Sequence, residues 1–357
     1  LIGGWVRLVY LWPPAPVVTG SPTTGVVGAG GHRYTNLTQP PISWTAATDG
    51  DSGLAGTPYE IRIGTEYGLD DVLTTATSVG SPYAPGAALT LNNGVTYYIQ
   101  VRAKDAVGNW SAWADCQGAF IYDDLAPSAP ANIRAATGSA GAAPDTAWHT
   151  PTQQPTIQWD ASIDAGVGLH GTAPYKIKIG TTLGGTETLG ETTCSTNSYA
   201  LGVDLTAGTK YYVNVTALDA LGNETGYHQR VMYYDVTPPG DPGAPEVGTD
   251  FGGTRWTNDL TPRVDWGNST DTAPGEMHQT ERYTLKIGST SGAVDILGET
   301  FVTSVMYIPS SDLSLTTGDT YYVNVKAKDA ANIENTFGYV QGTFKFDNTP
   351  PTIAGTP

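Results

Sequence analysis

The length of 357 residues exceeds that of one ordinary domain and suits two to four, each able to bury its own core. The 44 glycines and 25 prolines, with only 14% charged residues, are typical of short strands joined by tight turns and predict an all-β fold. The net charge of −17 argues against nucleic acid or an anionic membrane as a partner, because phosphate binding needs clustered Lys and Arg. Calcium or a cationic surface suits this charge better. The sequence has no apolar run of about 18 residues and therefore predicts no membrane span.

The chain opens with a strand that has no module of its own. Residues 6–16 read VRLVYLWPPAP, in which alternating side chains predict a β-strand and the prolines behind it predict a linker. An isolated apolar strand has to be docked on another element. We therefore predict that Val6, Leu8, Tyr10 and Trp12 either add to a sheet of a neighbouring chain or close a preceding module in a longer repeat array.

An internal repeat organises the rest of the chain. One strand and its loop occur three times, as GVTYYIQVRAKDAVGN (94–109), GTKYYVNVTALDALGN (208–223) and GDTYYVNVKAKDAANI (318–333). Each copy is followed by a closing strand and prolines, and the equivalent residues Tyr122, Tyr234 and Phe346 are 112 residues apart. A further step of 112 residues back reaches Tyr10, and the next residue, Leu11, stands where the other closing strands carry Asp.

The repeat predicts the domain boundaries. Residues 1–12 are the isolated strand, and 348–357 are a proline-rich linker or the start of a further module. The three modules between them are predicted over 13–125, 126–236 and 237–347. Alternation then predicts the core face of each strand. In the third repeat this face carries Tyr321, Val323, Val325 and Ala327.

Three aromatic positions recur in every repeat. A Trp on the second strand is Trp44, Trp159 or Trp266, a Tyr on the third is Tyr59, Tyr175 or Tyr283, and a Leu-x-x-Gly-x-x-Tyr corner ends at Tyr97, Tyr211 or Tyr321. With these residues each repeat resembles a fibronectin type III module of the bacterial and archaeal surface-protein type. The resemblance implies three tandem Ig-like β-sandwich modules placed end to end. In such a corner the Tyr hydroxyl bonds to upstream backbone and locks a crossover between sheets.

Aspartates at the module ends are candidate calcium ligands. Asp49 and Asp51 are spaced as in Asp-x-Asp-x-Gly ion loops. The others recur, as Asp105, Asp219 and Asp329 after the tyrosine strand and as Asp123, Asp235 and Asp347 before the prolines. Carboxylates at a junction can share an ion that stiffens it. The alternative is that these side chains cap turns by accepting hydrogen bonds from backbone N–H groups.

No catalytic constellation is evident in the sequence. Ser52 lies in a Gly-Asp-Ser-Gly stretch of the kind that carries a trypsin-like nucleophile, but the equivalent loops DAGVG and DTAPG have no Ser. Among the five histidines no two are three or four residues apart, as ligands of a metal on one element would be. We therefore predict that the chain is not an enzyme and has no cofactor other than a candidate calcium ion.

Two tryptophans and two cysteines occur outside the repeat pattern. Trp110 and Trp113 are found only in the first repeat and are candidates for an exposed binding contact, such as one with a sugar, or for a packing contact. Cys116 and Cys194 fall at non-equivalent places, which predicts two separate buried thiols. A bridge between modules or between chains is the alternative.

Tandem modules with stiff proline junctions favour a structural extracellular protein. The first hypothesis is a subunit or segment of a cell-surface fibre or stalk, whose partner is a second copy of itself added through the N-terminal strand. The second hypothesis is an accessory, carbohydrate-binding spacer of a secreted polysaccharide-degrading enzyme or adhesin.

Overall fold

The protein is an all-β, multi-domain sandwich. A computed structural model describes residues 14–18, 20–113, 116–140, 147–272, 275–336 and 338–352. The assembly strand predicted at Val6, Leu8, Tyr10 and Trp12 lies outside these residues. Within them, a 3-10 turn lies at Ala29–Gly31, and no helix is long and apolar enough to cross a membrane.

The described chain divides into two compact units. Unit 1 comprises the described residues up to Ala129 together with Ser162–Pro174 and Thr216–Gly226. Unit 2 comprises Pro130–Ala161, Tyr175–Val215 and the described residues from Tyr227 onward. Unit 1 therefore contains the first repeat and two loops of the second, and unit 2 contains the rest of the second repeat and the third.

The described residues of the repeats form twenty-four strands. In the first repeat they are β1 Val26–Val27, β2 Arg33–Thr35, β3 Leu54–Gly64, β4 Leu73–Ser78, β5 Thr96–Asp105 and β6 Gln117–Tyr122. In the second they are β7 Ala131–Ala135, β8 Ser139–Ala140, β9 Trp148–Thr150, β10 Thr156–Asp160, β11 Tyr175–Gly180, β12 Leu189–Cys194, β13 Ser198–Ala200, β14 Lys210–Ala217 and β15 His228–Tyr234. In the third they are β16 Glu246–Val247, β17 Thr249–Phe251, β18 Thr254–Thr257, β19 Val264–Asp265, β20 Tyr283–Gly288, β21 Leu297–Val302, β22 Met306–Tyr307, β23 Thr320–Ala327 and β24 Val340–Phe346.

Each repeat has a six-stranded sheet in which equivalent strands follow the same order. These orders are β1-β2-β6-β5-β3-β4, β8-β9-β15-β14-β11-β12 and β17-β18-β24-β23-β20-β21. In each sheet the strand ahead of the Trp strand pairs in parallel with the closing strand, as β2 with β6, β9 with β15 and β18 with β24. Smaller sheets have the orders β7-β10-β13 and β16-β19-β22. In the first repeat, isolated bridges from Thr23 to Ser43 and from Ile42 to Tyr83 take the place of such a sheet.

Alternation decides which side chains enter the core. Tyr321, Val323, Val325 and Ala327 are at most 3% exposed, which confirms the core face predicted for this strand. In every repeat the Trp of the second strand meets the Tyr of the third edge to face. The pairs are Trp44–Tyr59, Trp159–Tyr175 and Trp266–Tyr283, with ring centroids 5.2, 5.3 and 5.6 Å apart. Such pairs are worth about 1 kcal/mol beyond the area they bury.

The tyrosine corner is present in all three repeats, as predicted. The hydroxyl oxygens of Tyr97, Tyr211 and Tyr321 accept hydrogen bonds from backbone N–H groups five residues upstream, at 2.7, 2.8 and 2.7 Å. The donors are Asn92, Thr206 and Thr316. Each bond ties the loop before the tyrosine strand to the strand itself.

The two cysteines are separate buried thiols, as their positions in the repeat predict. Cys116 lies in the core cluster of the first repeat, and Cys194 ends β12. Burial raises the pKa of Cys194 to about 11, so this thiol is a poor nucleophile at neutral pH.

Replacement of one corner tyrosine tests the role of its hydroxyl. Tyr321→Phe leaves the ring in the core but removes the acceptor for the Thr316 N–H, so the free energy of unfolding should fall by about 1 kcal/mol. Urea unfolding followed by circular dichroism measures the change. Tyr322→Phe, on the opposite face of the same strand, is the control and should have almost no effect. Equal losses in the two variants would contradict a specific role of the corner.

Candidate functional site

The aspartate after the tyrosine strand caps the same turn in every repeat. Asp105, Asp219 and Asp329 are at most 1% exposed. Their Oδ1 atoms accept the backbone N–H of the residue four positions later, at 2.7, 2.8 and 2.7 Å. In the first two repeats that residue is Asn109 or Asn223, and its side-chain amide also donates to Oδ2, at 2.7 Å in both. In the third repeat it is Ile333, which has no side-chain donor.

One such aspartate, Asp219, joins a group of carboxylates in unit 1. Asp123 follows the closing strand of the first repeat, and Asp164 and Asp219 lie in loops of the second. One oxygen of each carboxylate lies within 4.8 Å of one oxygen of both others. We call these three residues the first acidic cluster. The structure therefore brings together two of the predicted aspartates, Asp123 and Asp219, and adds Asp164.

Each carboxylate of the first acidic cluster accepts a hydrogen bond at its Oδ2 atom. Asp123 Oδ2 accepts from Val167 N at 2.7 Å, and Asp164 Oδ2 accepts from Gly168 N at 2.6 Å. Asp219 Oδ2 accepts from the Asn223 amide at 2.7 Å. Burial, with the charges of the other two aspartates, raises the pKa of Asp164, while the backbone bonds oppose the rise. Each Oδ2 atom of this cluster has a donor.

An equivalent group lies in unit 2, and we call it the second acidic cluster. Asp235 follows the closing strand of the second repeat, while Asp271 and Asp329 lie in loops of the third. One oxygen of each is again within 4.8 Å of one oxygen of both others. The Oδ1 atoms accept from backbone N–H groups of their own loops, those of Thr237, Thr272 and Ile333, at 3.0, 2.7 and 2.7 Å.

The Oδ2 atoms of the second acidic cluster have no hydrogen-bond partner among the described residues. This holds for Asp235, Asp271 and Asp329 alike. Two unit charges 4.8 Å apart repel by about 3 kcal/mol at an effective dielectric constant of about 20. Burial, followed by the charges of the neighbouring aspartates, raises the pKa of Asp329 to about 7. Burial and neighbouring charge likewise raise the pKa of Asp271 to about 6.

The other predicted calcium ligands are in neither cluster. Asp49 caps its own loop by accepting from Ser52 N at 2.9 Å, and Asp51 is exposed. Asp105 is satisfied within its turn. Asp347 is exposed and accepts from Thr349 N at 2.9 Å. Among the described residues, no metal-compatible group of three ligands includes any of these four.

Sequence reasoning missed Asp164 and Asp271, although a signal for them was present. Both lie five residues after the Trp of the second strand, and Asp49 occupies the same place in the first repeat. A recurring Asp in loops of different sequence indicated a shared role. In sequence, Leu11 stands at the position equivalent to Asp123 and Asp235, and it is outside the described part of the chain.

The predicted contact residues Trp110 and Trp113 belong to a stack of side chains in unit 1. The Arg62 guanidinium lies 4.4 Å from the Trp113 ring centroid, and that of Arg102 lies 4.5 Å from it. Arg102 is also 4.4 Å from the Trp110 centroid, and Lys104 Nζ is 5.2 Å from it. These five residues form a cation–π ladder on the face of β3 and β5 that points away from the core.

The ladder is fixed by polar partners on the same face. Arg102 forms an ion pair with Glu60 at 2.5 Å, and the Arg62 Nη2 donates to Gln100 Oε1 at 2.8 Å. Both tryptophans are half-buried. Cations of the same sheet therefore already stack on both tryptophan rings.

No protein-family model matches the chain. Exoglucanase B of Cellulomonas fimi is 29% identical over 259 residues, which are 72% of this chain and 20% of that protein. Chitinase A1 of Niallia circulans is 30% identical over 235 residues, 64% of this chain and 28% of that protein. Endoglucanase B of Cellulomonas fimi is 29% identical over 297 residues, 81% of this chain and 24% of that protein. The chain thus spans less than a third of the length of these relatives.

Among solved structures, a match is the crystal structure of chicken CNTN1 FN1-FN3 domains. It covers 93% of this chain and 100% of that chain, with 13% sequence identity and a TM-score of 0.40.

Replacement of Trp113 tests whether the cation–π ladder stabilises the fold. Trp113→Ala removes the ring that contacts two guanidinium groups, so the free energy of unfolding should fall by roughly 1–3 kcal/mol. Trp113→Phe keeps an aromatic ring and should lose less. Urea unfolding of both variants gives the comparison. Wild-type stability in Trp113→Ala would mean that the ladder contributes nothing to the fold.

Proposed function

We propose that this chain is a non-catalytic spacer region of an extracellular polysaccharide-degrading enzyme, built from tandem modules of the fibronectin type III kind. The observation that carries the proposal is the pattern of its relatives. Proteins named exoglucanase, endoglucanase and chitinase align with 64–81% of this chain, but only 20–28% of their own length takes part.

The variety of those names supports a role other than catalysis. Glucan and chitin are different substrates, and an exo-acting and an endo-acting enzyme need different clefts. A segment common to all three is therefore not the part that determines the reaction. Repeated β-sandwich modules are a general scaffold on which function depends on added sites. The prediction that the modules lie end to end belongs to this proposal, since a spacer works by its length.

The cation–π ladder supports the interpretation that this spacer does not bind sugar through Trp110 and Trp113. A sugar would compete for these rings with Arg62 and Arg102, which already stack on them and have hydrogen-bond and ion-pair partners in place. The other hypothesis, a fibre or stalk subunit that adds its N-terminal strand to a second copy, shares the modular architecture and stays a prediction.

The native polypeptide that contains this chain provides the direct test. An antibody raised against the chain should detect, in the culture medium of the native source, a polypeptide larger than 37.4 kDa. The same band should clear glucan or chitin in a substrate gel. The purified chain alone should release no reducing sugar from either substrate. A native band of about 37.4 kDa without activity would contradict the proposal.

Sedimentation with insoluble chitin and cellulose separates a spacer from a sugar-binding module. The purified chain should stay in the supernatant and elute as a monomer in size-exclusion chromatography with light scattering. Pelleting that is lost in folded Trp110→Ala or Trp113→Ala would indicate sugar binding at the ladder. Concentration-dependent polymers would favour the fibre.

A further inference from the structure

The second acidic cluster holds three carboxylate oxygens without donors. Asp235 and Asp329 are 1% and 0% exposed, and Asp271 is half-buried. Since each Oδ1 is bonded to the backbone of its own loop, the oxygen left for the other carboxylates is Oδ2. Buried ionised carboxylates without donors are costly and are found where a counter-charge or a metal ion compensates them.

A single substitution explains why Asp329 lacks the donor that its counterpart Asp219 has. In the first cluster the Asn223 amide donates to Asp219 Oδ2 at 2.7 Å and to the Asp123 carbonyl oxygen at 3.2 Å. Ile333 occupies the position of Asn223 in the third repeat, so Asp329 Oδ2 receives no such bond. The second cluster therefore keeps all three carboxylates, but an apolar side chain, Ile333, stands where the first cluster has the neutral donor Asn223.

Basic side chains of the described residues reach one carboxylate of the cluster at most. His149 Nδ1 lies 3.9 Å from Asp235 Oδ2, beyond the usual hydrogen-bond distance, and attraction to His149 and hydrogen bonds from Thr237 outweigh burial and lower the pKa of Asp235. Arg282 lines the same cleft as Asp271 and Glu276, yet Asp271 Oδ2 and Arg282 Nε have no hydrogen-bond partner within the described part of the chain. A water molecule can donate two hydrogen bonds but brings no charge, so the repulsion would persist.

We propose that Asp235, Asp271 and Asp329 bind one calcium ion between the second and third repeats. Hard divalent cations take carboxylate oxygens, and calcium accepts an irregular set of six to eight, completed by backbone oxygens and water. Magnesium demands a near-ideal octahedron and suits this cluster less well. A soft metal would want sulfur or imidazole ligands, and no cysteine belongs to the cluster.

The ion would join the closing strand of one repeat to two loops of the next. Other contacts already hold these parts of unit 2 together, since Ser139 N and Oγ donate to the Ala330 carbonyl oxygen at 2.7 and 2.9 Å. Calcium would add a link whose strength depends on the ion concentration. The inference stands independently of the proposed function, because it rests on the donor set of the cluster alone.

Isothermal titration calorimetry with CaCl₂ tests the site on the whole chain, first stripped with EDTA and dialysed into metal-free buffer. One ion per chain should bind saturably, and calcium should raise the midpoint of thermal unfolding. Asp329→Asn, which keeps the Oδ1 acceptor of the turn, should bind calcium at least about tenfold more weakly. Ile333→Asn restores the amide donor that Asn223 provides in the first cluster, and it should weaken binding while every carboxylate remains.

Two matched controls carry the same change of charge outside the second cluster. Asp105→Asn and Asp219→Asn replace the equivalent turn aspartates of the first and second repeats and should bind calcium as the wild type does. The proposal is overturned by an absence of binding up to about 10 mM calcium, a range that includes weak extracellular sites. Loss of binding in Asp219→Asn alone, equal affinity in Ile333→Asn and wild type, or tighter binding of magnesium would also overturn it.

Discussion

A carboxylate buried from water must find donors or a counter-charge, and the loops of every repeat are arranged around that requirement. The turn after each tyrosine strand folds around a buried aspartate, whose Oδ1 accepts the N–H groups that the tight turn would otherwise leave unpaired. This bond fixes the turn and sets where Oδ2 points. Whether Oδ2 then meets an amide, as at Asp219, or two other carboxylates without a donor, as at Asp329, distinguishes one junction from the next.

The sandwich provides rigid ends for these loops. Alternating strands bury one face, the Trp and Tyr pairs join the second and third strands in the core, and the corner tyrosine anchors the loop before its strand. The closing strand, which pairs in parallel with the strand ahead of the Trp strand, ends next to the aspartate that leads into the prolines. The three carboxylates of a cluster are many residues apart in the chain. They come together because the packed core fixes the ends of the strands and loops that carry them.

The same scaffold carries different polar features in different repeats. In the first, the face of β3 and β5 away from the core holds the ladder of Trp110 and Trp113 with basic side chains. In the third, the turn carries Ile333 in place of an Asn, so the polar group that is lost is the amide donor to a carboxylate oxygen. These differences alter surfaces and junctions while the core stays the same. That behaviour suits the proposed spacer, because the number of modules would set its length and the junctions between modules would set its stiffness.

The sequence by itself determined the strands, the core faces, the tyrosine corners and the turn aspartates, because these depend on alternation and on bonds between residues close in the chain. It also offered a shared ion between closing-strand and turn aspartates at the junctions as one of two interpretations, the other being that these side chains cap turns. Only the tertiary structure decided that Asp164 and Asp271 complete the clusters, since they lie in loops that the sandwich folds next to a strand of the preceding repeat. It also decided the partners of Trp110 and Trp113, because Arg62 and Arg102 reach those rings through the cross-strand register of β3 and β5. Local periodicity fixes which face a side chain occupies, whereas the contacts across that face depend on how distant strands align.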